Sequence, residues 1–189
     1  MKIIILDRDG VINQEFPNQY VVKEEEFIPI PKSLEAIAAL KQTGYIVVIA
    51  TNQSIIAKKI ISLQELEKIH KKLQKLLAIY NVQVDKIFFC PHQKSDNCEC
   101  RKPNPGMLLQ IAEEYQVDLK LTTVYFVGDS LSDLIAAKSV GAIPVLVKTG
   151  KGCHTMHDDC IRDFQNLLIF EDLYDFTNYL LNHDSIRSL

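Results

Sequence analysis

Short apolar runs alternate with segments of helical periodicity along most of the chain. The runs are apolar on both faces, as expected for strands buried between two layers of helices. They predict five strands, at residues 2–6, 45–50, 86–90, 123–128 and 142–147. The segments between them predict four helices, at residues 32–44, 62–81, 105–116 and 132–141. The alternation predicts an α/β fold of Rossmann type, a three-layer sandwich with a central parallel sheet.

The ends of the predicted helices carry recognisable signals. Ser62 and Glu65 have the spacing of a capping box at the start of the second helix. Pro105 lies near the start of the third helix, where a missing backbone N–H costs little. Gly44 and Gly141 follow the first and fourth helices and are typical stop residues. These signals support the helix assignments independently of the hydrophobic pattern.

Polar clusters follow four of the predicted strands. The clusters are DRDG (7–10), TNQS (51–54), a cysteine-rich loop that ends in Arg-Lys (90–102) and GDSLSD (128–133). In open parallel sheets, ligands bind beyond the carboxyl ends of the strands. We therefore expect the four clusters to meet in one site.

Three carboxylates of these clusters suit metal-assisted phosphate chemistry. Asp7 and Asp9 flank one residue at a strand end, so alternation along an extended chain points both side chains the same way. With Asp129 they form an oxygen-rich set of the kind that binds Mg²⁺. A carboxylate can also attack phosphorus and form an aspartyl-phosphate.

The other clusters offer groups that bind phosphate. Thr51 and Asn52 carry a hydroxyl and an amide, and Lys102 carries a compact positive charge. Arg101 adds a planar fork for a second anionic or polyhydroxy group. Each cluster alone is common in turns and loops. Together they supply a nucleophile, a metal site and a cradle for phosphoryl transfer.

The loop after the third strand contains a Cys-x-His and a Cys-x-Cys pair. Cys90, His92, Cys98 and Cys100 provide three thiolates and one imidazole, a closed tetrahedral set for structural Zn²⁺. A disulfide is the alternative, but the close spacing of the cysteines disfavours it. A metal bound in this loop would fix the direction in which Arg101 projects from the loop. A second cluster, residues 153–160, is interpreted as a solvated loop.

Composition narrows the class of protein. The chain has 189 residues, of which 47% are hydrophobic and 24% charged, with a net charge of −3 and five cysteines. These values predict one soluble domain over residues 1–189, in the reducing cytoplasm, with no affinity for nucleic acid or membranes. We expect a small phosphorylated metabolite as partner and a monomeric protein. His70 and His183 are interpreted as surface residues.

The four clusters in this order resemble the haloacid dehalogenase phosphatase superfamily. The resemblance implies that Asp7 is the nucleophile and Asp9 the general acid and base. It implies that Asp7, Asp9 (through its carbonyl) and Asp129 hold Mg²⁺. Thr51 and Lys102 would stabilise the transferring phosphoryl group. The short connection after the second strand leaves no room for a large cap domain.

The motifs DRDG, TNQS and CRKPNPGM, with the cysteine loop, narrow the resemblance to the D-glycero-D-manno-heptose 1,7-bisphosphate 7-phosphatases. Removal of the 7-phosphate is therefore the expected reaction. The histidinol-phosphate phosphatases are similar, and a nucleic-acid 3′-phosphatase or a zinc-stabilised binding module are further alternatives. The segment IIAKK (55–59) and Ser130 depart from the heptose pattern, which has Gly-Ile-Ala-Arg-Gly and a cation there. The residues expected to contact substrate are Tyr20, Thr51, Asn52, Gln53, Ser54, Arg101, Lys102 and Ser130.

Overall fold

The computed structural model describes residues 1–16, 19–120, 122–165 and 167–187, and in the last helix it describes side chains up to residue 183. The strands are β1 (Ile3–Leu6), β2 (Ile46–Asn52), β3 (Lys86–Cys90), β4 (Val124–Gly128), β5 (Ile143–Val147) and β6 (Leu168–Phe170). The helices are α1 (Ser33–Gln42), α2 (Leu63–Ala78), α3 (Gly106–Glu114), α4 (Leu131–Val140), α5 (Gly152–Thr155) and α6 (Leu173–Arg187).

The six strands form one parallel sheet in the order β3-β2-β1-β4-β5-β6. The five strands and four helices predicted from the sequence are confirmed, with small shifts at their ends. The prediction of a parallel α/β sandwich is also confirmed. In the described ranges, no second sheet or helical bundle is inserted, which agrees with the expected lack of a large cap.

Alternate residues of each strand bury into opposite helical layers. Ile4 and Leu6 of β1 pack in a cluster with residues of α1, α2 and α6. Ile3 and Ile5 pack on the other face with residues of α3 and α4. All four side chains are fully buried. Burial on both faces explains why the strands read as continuous apolar runs rather than as alternating patterns.

The helix signals act as the sequence predicted. Ser62 and Glu65 exchange the bonds of a capping box, with the Glu65 N–H donating to Ser62 Oγ at 3.2 Å and the Ser62 N–H donating to Glu65 Oε2 at 2.6 Å. Gly141 follows α4 with a φ of +82°. This left-handed conformation ends the helix and favours glycine.

The elements after β5 were not predicted from the sequence. β6 adds a sixth strand beside β5, and α6 packs against the same side as α1 through the buried residues Leu173, Phe176 and Leu180. Most residues of the segment 153–160 are exposed, as the prediction of a solvated loop required, but the segment also includes most of α5 and the start of a 3₁₀ helix, Asp159–Asp163. Among the helices of the described residues, none combines the length and apolar character needed to span a bilayer.

Candidate active site

The polar clusters converge where the strand order reverses. β1 lies between β2 and β4, so the chain leaves β1 towards one side of the sheet and later returns to the other side. This switch point opens a crevice at the carboxyl ends of the strands, the usual place for a ligand in such sheets. A cavity of about 720 Å³ lies there.

The cavity brings together the residues that the sequence singled out for catalysis and substrate contact. Those that line it are Asp7, Asp9, Tyr20, Thr51, Asn52, Gln53, Ser54, Arg101, Lys102, Asp129 and Ser130. Four separate segments of the chain contribute, each from the end of a strand or from the loop that follows one. Convergence on one cavity supports the prediction of a single site.

Asp7 is held through one of its two carboxylate oxygens. Its Oδ1 accepts from the Arg8 N–H at 2.8 Å and lies 2.9 Å from Lys102 Nζ. Within the described residues, no hydrogen bond reaches Oδ2, which leaves that oxygen available for attack. Burial, with the charges of Asp133 and Asp9, raises the pKa of Asp7 to about 7, although the charge of Lys102 opposes the shift.

Asp9 is fixed by three neighbouring side chains. Arg8 Nη2 donates to both carboxylate oxygens of Asp9 at 2.9 Å. Asn13 Nδ2 donates to Oδ1 at 2.9 Å and Gln53 Nε2 donates to Oδ2 at 2.8 Å. Burial would raise the pKa of Asp9, but the charge of Arg8 and these hydrogen bonds outweigh burial and lower the pKa. The resting carboxyl is therefore ionised and locked in one orientation.

Behind Asp9, Arg8 is buried against α2. Only 1% of Arg8 is exposed. His70, on α2, is half-buried, its ring lies 6.0 Å from the ring of Phe89, and its Nε2 is buried without a partner among the described residues. The prediction that His70 is a surface residue was therefore wrong, whereas His183 is exposed as predicted. Burial and the nearby charge of Arg8 lower the pKa of His70 to about 3.

His70 should make the folded protein sensitive to acid. Below the unfolded-state pKa of about 6.5, the unfolded chain binds a proton at His70 that the folded chain does not, so stability falls as the pH falls. His70→Gln should reduce the loss of unfolding free energy between pH 7.5 and pH 5.0 by about 2 kcal/mol. Urea unfolding at the two pH values measures this, with His183→Gln as the control. An unchanged loss in His70→Gln would contradict the assignment of a buried neutral imidazole.

Lys102 is the central cation of the site. Its Nζ donates to the Ala50 carbonyl at 2.7 Å and lies 2.6 Å from Asp133 Oδ1, in addition to its contact with Asp7. Burial would lower the pKa of Lys102, but the charges of Asp133 and Asp7 raise it above its usual range. Lys102 is therefore fully protonated, and its three N–H groups have fixed directions.

Three carboxylates form an oxygen cluster beside Lys102. One carboxylate oxygen from each of Asp7, Asp129 and Asp133 lies within 4.8 Å of the others. Burial and the charges of Asp133 and Asp7 raise the pKa of Asp129 well above its usual range. The buried negative charge and the oxygen donors fit a hard divalent cation. The Asp9 carboxylate lies outside this cluster and is occupied by Arg8, Asn13 and Gln53.

Thr51 and Asn52, both of the TNQS segment, make different kinds of contact. The Thr51 hydroxyl accepts from Gln53 Nε2 at 2.9 Å, so its own O–H is left to donate to a ligand in the cavity. Asn52 instead contacts the backbone of Lys102: its Nδ2 donates to the Lys102 carbonyl and its Oδ1 accepts from the Lys102 N–H, both at 3.1 Å. The sequence indicated Asn52 as a phosphate ligand, whereas its amide here holds the residue that carries the cation.

Three further predicted contact residues are already engaged with protein groups. Ser130 Oγ donates to Asp133 Oδ2 at 2.5 Å and caps α4. Tyr20 Oη accepts from Lys58 Nζ at 2.8 Å at the cavity mouth. Arg101 Nη1 donates to the His92 carbonyl at 3.0 Å, which connects it directly to the cysteine-rich loop.

The four Cys and His donors of that loop form a compact group. The Cys90 and Cys98 sulfurs lie 3.6 Å apart, Cys100 Sγ lies 3.2 Å from Cys90 Sγ, and His92 Nδ1 lies 3.3 Å from Cys100 Sγ. Sulfur ligands of a tetrahedral zinc ion lie about 3.8 Å apart, because Zn–S bonds are about 2.3 Å long. The cysteines are unpaired thiols. The group can therefore enclose a small tetrahedral metal ion.

Several residues of the site were not identified from the sequence. Asp133 is the last residue of the GDSLSD segment, but its ion pair with Lys102 forms only in the folded protein and has no signal in the sequence. Lys151 lines the cavity, and its backbone N–H donates to Asp129 Oδ2 at 2.8 Å. Thr155 donates to the Asp129 carbonyl at 2.8 Å, so the segment after β5 fixes Asp129 from a second side. The repeated threonines and lysines of this segment carry no pattern that would reveal these contacts.

Comparison with known proteins identifies one matching family model and several similar phosphatases. The Polynucleotide kinase 3 phosphatase family model matches residues 2–164. The D-glycero-beta-D-manno-heptose-1,7-bisphosphate 7-phosphatase of Pseudomonas aeruginosa is 49% identical over 95% of this chain and 97% of its own length. The enzyme of that name from Neisseria meningitidis serogroup A is 42% identical over 98% of this chain and 97% of its own length.

A solved structure shares the fold. The D,D-heptose 1.7-bisphosphate phosphatase of B. bronchiseptica, complexed with magnesium and phosphate, has 44% identity and a TM-score of 0.89, covering 97% of this chain and 99% of that one. Fold and site thus define a phosphatase of the haloacid dehalogenase superfamily. Within that superfamily, the chain belongs to the family of the D-glycero-β-D-manno-heptose-1,7-bisphosphate 7-phosphatases.

Proposed function

We propose that this phosphatase removes the 7-phosphate of D-glycero-D-manno-heptose 1,7-bisphosphate, with Asp7 as nucleophile. The observation that carries the proposal is the arrangement of Asp7, which lines the cavity: its Oδ1 is bound to Lys102, while its Oδ2 has no hydrogen bond within the described residues. The names of the relatives supply the substrate. Basic residues at the cavity mouth suit a ligand that carries a second phosphate.

The reaction proceeds in two displacements at phosphorus. Asp7 Oδ2 attacks the 7-phosphate, a P–O bond to Asp7 forms, and the bond to the sugar oxygen breaks as Asp9 donates a proton to that oxygen. The approach of a phosphate dianion raises the pKa of Asp9, so Asp9 takes up a proton from solvent before the attack. Asp9 then takes a proton from water, which attacks phosphorus and releases inorganic phosphate from Asp7. Thr51 and Lys102 bind the phosphoryl oxygens throughout.

Mg²⁺ is the proposed cofactor. Asp7 and Asp129 would hold it with the Asp9 carbonyl, as the resemblance implies, and Asp133 lies close enough to orient them through Lys102. When bound, the ion supplies positive charge that offsets the repulsion between these carboxylates and the phosphate.

The substrate assignment can be tested by comparing initial rates with Mg²⁺ on three substrates. These are the heptose bisphosphate, histidinol phosphate and a 3′-phosphorylated oligonucleotide. We expect the highest kcat/KM for the heptose bisphosphate by at least about a hundredfold. A preference for the oligonucleotide would contradict the proposal and favour the activity in the name of the matching family model. The strand ends of one sheet supply the nucleophile, the cation and the phosphate-binding groups, so we also propose that a monomer is active.

Zinc is the proposed metal of the Cys90, His92, Cys98 and Cys100 group. Three sulfurs and one imidazole nitrogen are the ligand set of closed structural zinc sites. The group lies outside the cavity lining, so the ion would take no part in the reaction. Its contact with the site runs through the His92 carbonyl to Arg101. Zinc would therefore hold Arg101 towards the substrate.

Cys98→Ser should weaken zinc binding and act mainly on KM. Loss of the metal frees the loop and Arg101, so KM for the bisphosphate should rise by about tenfold. The fall in kcat should be smaller, because Asn52 and Ala50 anchor Lys102 independently of the metal. Elemental analysis and steady-state kinetics measure both effects, with the exposed Cys153→Ser as the matched control. A zinc-free Cys98→Ser enzyme with unchanged kinetics would reduce the metal to a remote structural role.

A further inference from the structure

Three buried polar atoms around the Arg8 guanidinium have no hydrogen-bond partner among the residues that the structure describes. They are Nη1 of Arg8, Oδ1 of Asn13 and Nε2 of His70. Arg8 is 1% exposed and Asn13 is fully buried. Buried polar groups are nearly always hydrogen-bonded, because an unpaired one loses the bonds that it makes with water in the unfolded chain. A donor and two acceptors in one place therefore indicate a bound group.

These atoms belong to one region behind the Asp9 carboxylate. Asp9 Oδ1 accepts from Arg8 Nη2 and from Asn13 Nδ2, both at 2.9 Å. Nη1 shares the guanidinium carbon with Nη2, and Oδ1 shares the amide carbon with Nδ2, so both unpaired atoms lie close to these bonds. His70 approaches the same region from α2, since the charges of Arg8 and Asp9 both act on its imidazole.

The hydrogen-bonding role of each atom is fixed by its surroundings. Asn13 Nδ2 also donates to the Gln14 carbonyl at 3.0 Å, so both N–H groups of the amide face acceptors and Oδ1 is the acceptor. Burial and the charge of Arg8 lower the pKa of His70 to about 3, so its imidazole is neutral and keeps one lone pair. Beside a guanidinium donor, the favourable position for that lone pair is Nε2.

One water molecule is the complement of this set. Water can accept from Arg8 Nη1 while its two O–H groups donate to Asn13 Oδ1 and His70 Nε2. Internal waters typically make about three hydrogen bonds to buried groups that are otherwise unpaired. An anion would face two acceptors there and a cation would face the guanidinium, so the region fits neither.

We infer that Arg8, Asn13 and His70 bind one internal water, through which His70 acts as a positioning residue for Asp9. The positioning role rests on the proposed function, in which Asp9 is the general acid and base. The water holds the outer end of the Arg8 guanidinium, whose Nε and Nη2 both donate to Asp9. A proton donor must lie within hydrogen-bond reach of the leaving oxygen, so a loosened guanidinium costs Asp9 its alignment.

Substrate binding should not depend on this water. Lys102 has its own partners, Asp7, Asp133 and the Ala50 carbonyl, and none of them contacts His70 in the described part of the chain. Loss of the water should therefore lower kcat and leave KM nearly unchanged. A general loss of structure would change both constants, which makes the split between them informative.

The test compares His70→Leu with His70→Gln under saturating heptose bisphosphate and Mg²⁺. Leucine favours helices and has a similar size but no acceptor, whereas the glutamine amide oxygen reaches about as far as Nε2. His70→Leu should lower kcat by about tenfold, with KM within about twofold of wild type. His70→Gln should restore kcat to within about threefold of wild type. His183→Leu, at an exposed histidine, is the matched control and should have no effect.

Crystal structures test the water independently of turnover. The wild type should show a water within hydrogen-bond distance of all three atoms, and His70→Leu should lose it. No water there, or a direct bond from Arg8 Nη1 to His70 Nε2, would overturn the water site. His70→Phe, which also lacks an acceptor, replaces His70→Leu if the leucine variant does not fold.

The kinetic outcomes distinguish the positioning role from the proposed function. A folded His70→Leu enzyme with wild-type kcat, or equal losses in His70→Leu and His70→Gln, would overturn the positioning role and leave the function standing. A wild-type enzyme that does not hydrolyse the heptose bisphosphate would overturn the function and the positioning role with it. The crystal structures would then still decide whether the water is bound.

Discussion

Replacing Asp7 with asparagine is expected to lower kcat by a factor on the order of 10⁴ or more, because the nucleophile is lost. An amide oxygen cannot form the bond to phosphorus that the carboxylate Oδ2 forms. The folded protein should persist, since the substitution removes a buried charge that Asp133 and Asp9 disfavour. Lys102 keeps its contacts with Asp133 and the Ala50 carbonyl. Turnover with Mg²⁺ and the urea unfolding midpoint measure the two effects.

Asp9→Asn should differ from Asp7→Asn in the step that it blocks. Attack by Asp7 remains possible there, but the leaving oxygen is no longer protonated and water is no longer activated, so a phosphoenzyme should form more slowly and then accumulate. Trapping the phosphoenzyme with a radiolabelled substrate and acid quench distinguishes the variants: label should remain on Asp9→Asn and be absent from Asp7→Asn. Undiminished hydrolysis by folded Asp7→Asn would remove the nucleophile assignment.

The sequence predicted the central fold because the strands are buried on both faces. Such strands carry a strong signal, as in the IIIL run of β1, and loops at their carboxyl ends must meet at one sheet edge. The motif residues therefore identified the cavity before any contact was known. By contrast, β6 has only three residues and is partly exposed, so its pattern is weak. The buried positions of α6, Leu173, Phe176 and Leu180, have helical spacing and could have been recognised.

The errors and omissions arise where a side chain's environment depends on distant segments. His70 lies beside the apolar stripe of α2, and only the buried Arg8 and Phe89 make its surroundings dry and positive. The ion pairs of Lys102 with Asp7 and Asp133 likewise join segments that are far apart in the chain. A long charged side chain can bury or expose its head in many ways, so spacing along the chain does not reveal its direction.

Lys102→Met should lower kcat by about 10²- to 10³-fold, the usual cost of removing one preorganised donor to a transition-state oxyanion. It should also destabilise the fold. Asp133 is fully buried, and Lys102 is its cationic partner. Breaking a buried ion pair from one side leaves an uncompensated charge and costs about 3–5 kcal/mol. Loss of activity in this variant could therefore arise from unfolding alone.

A second substitution separates the two effects. Asp133→Asn in the Lys102→Met background removes the stranded charge, while the amide oxygen can still accept from the Ser130 N–H at the start of α4. Most of the lost stability should return, as found when both members of a buried pair are neutralised. The catalytic defect should remain, because the Lys102 ammonium no longer faces the phosphoryl group. Urea unfolding and kcat, measured for the single and double variants, separate the loss of stability from the loss of catalysis. Recovery of activity together with stability would show that Lys102 serves the fold, and that another group stabilises the transferring phosphate.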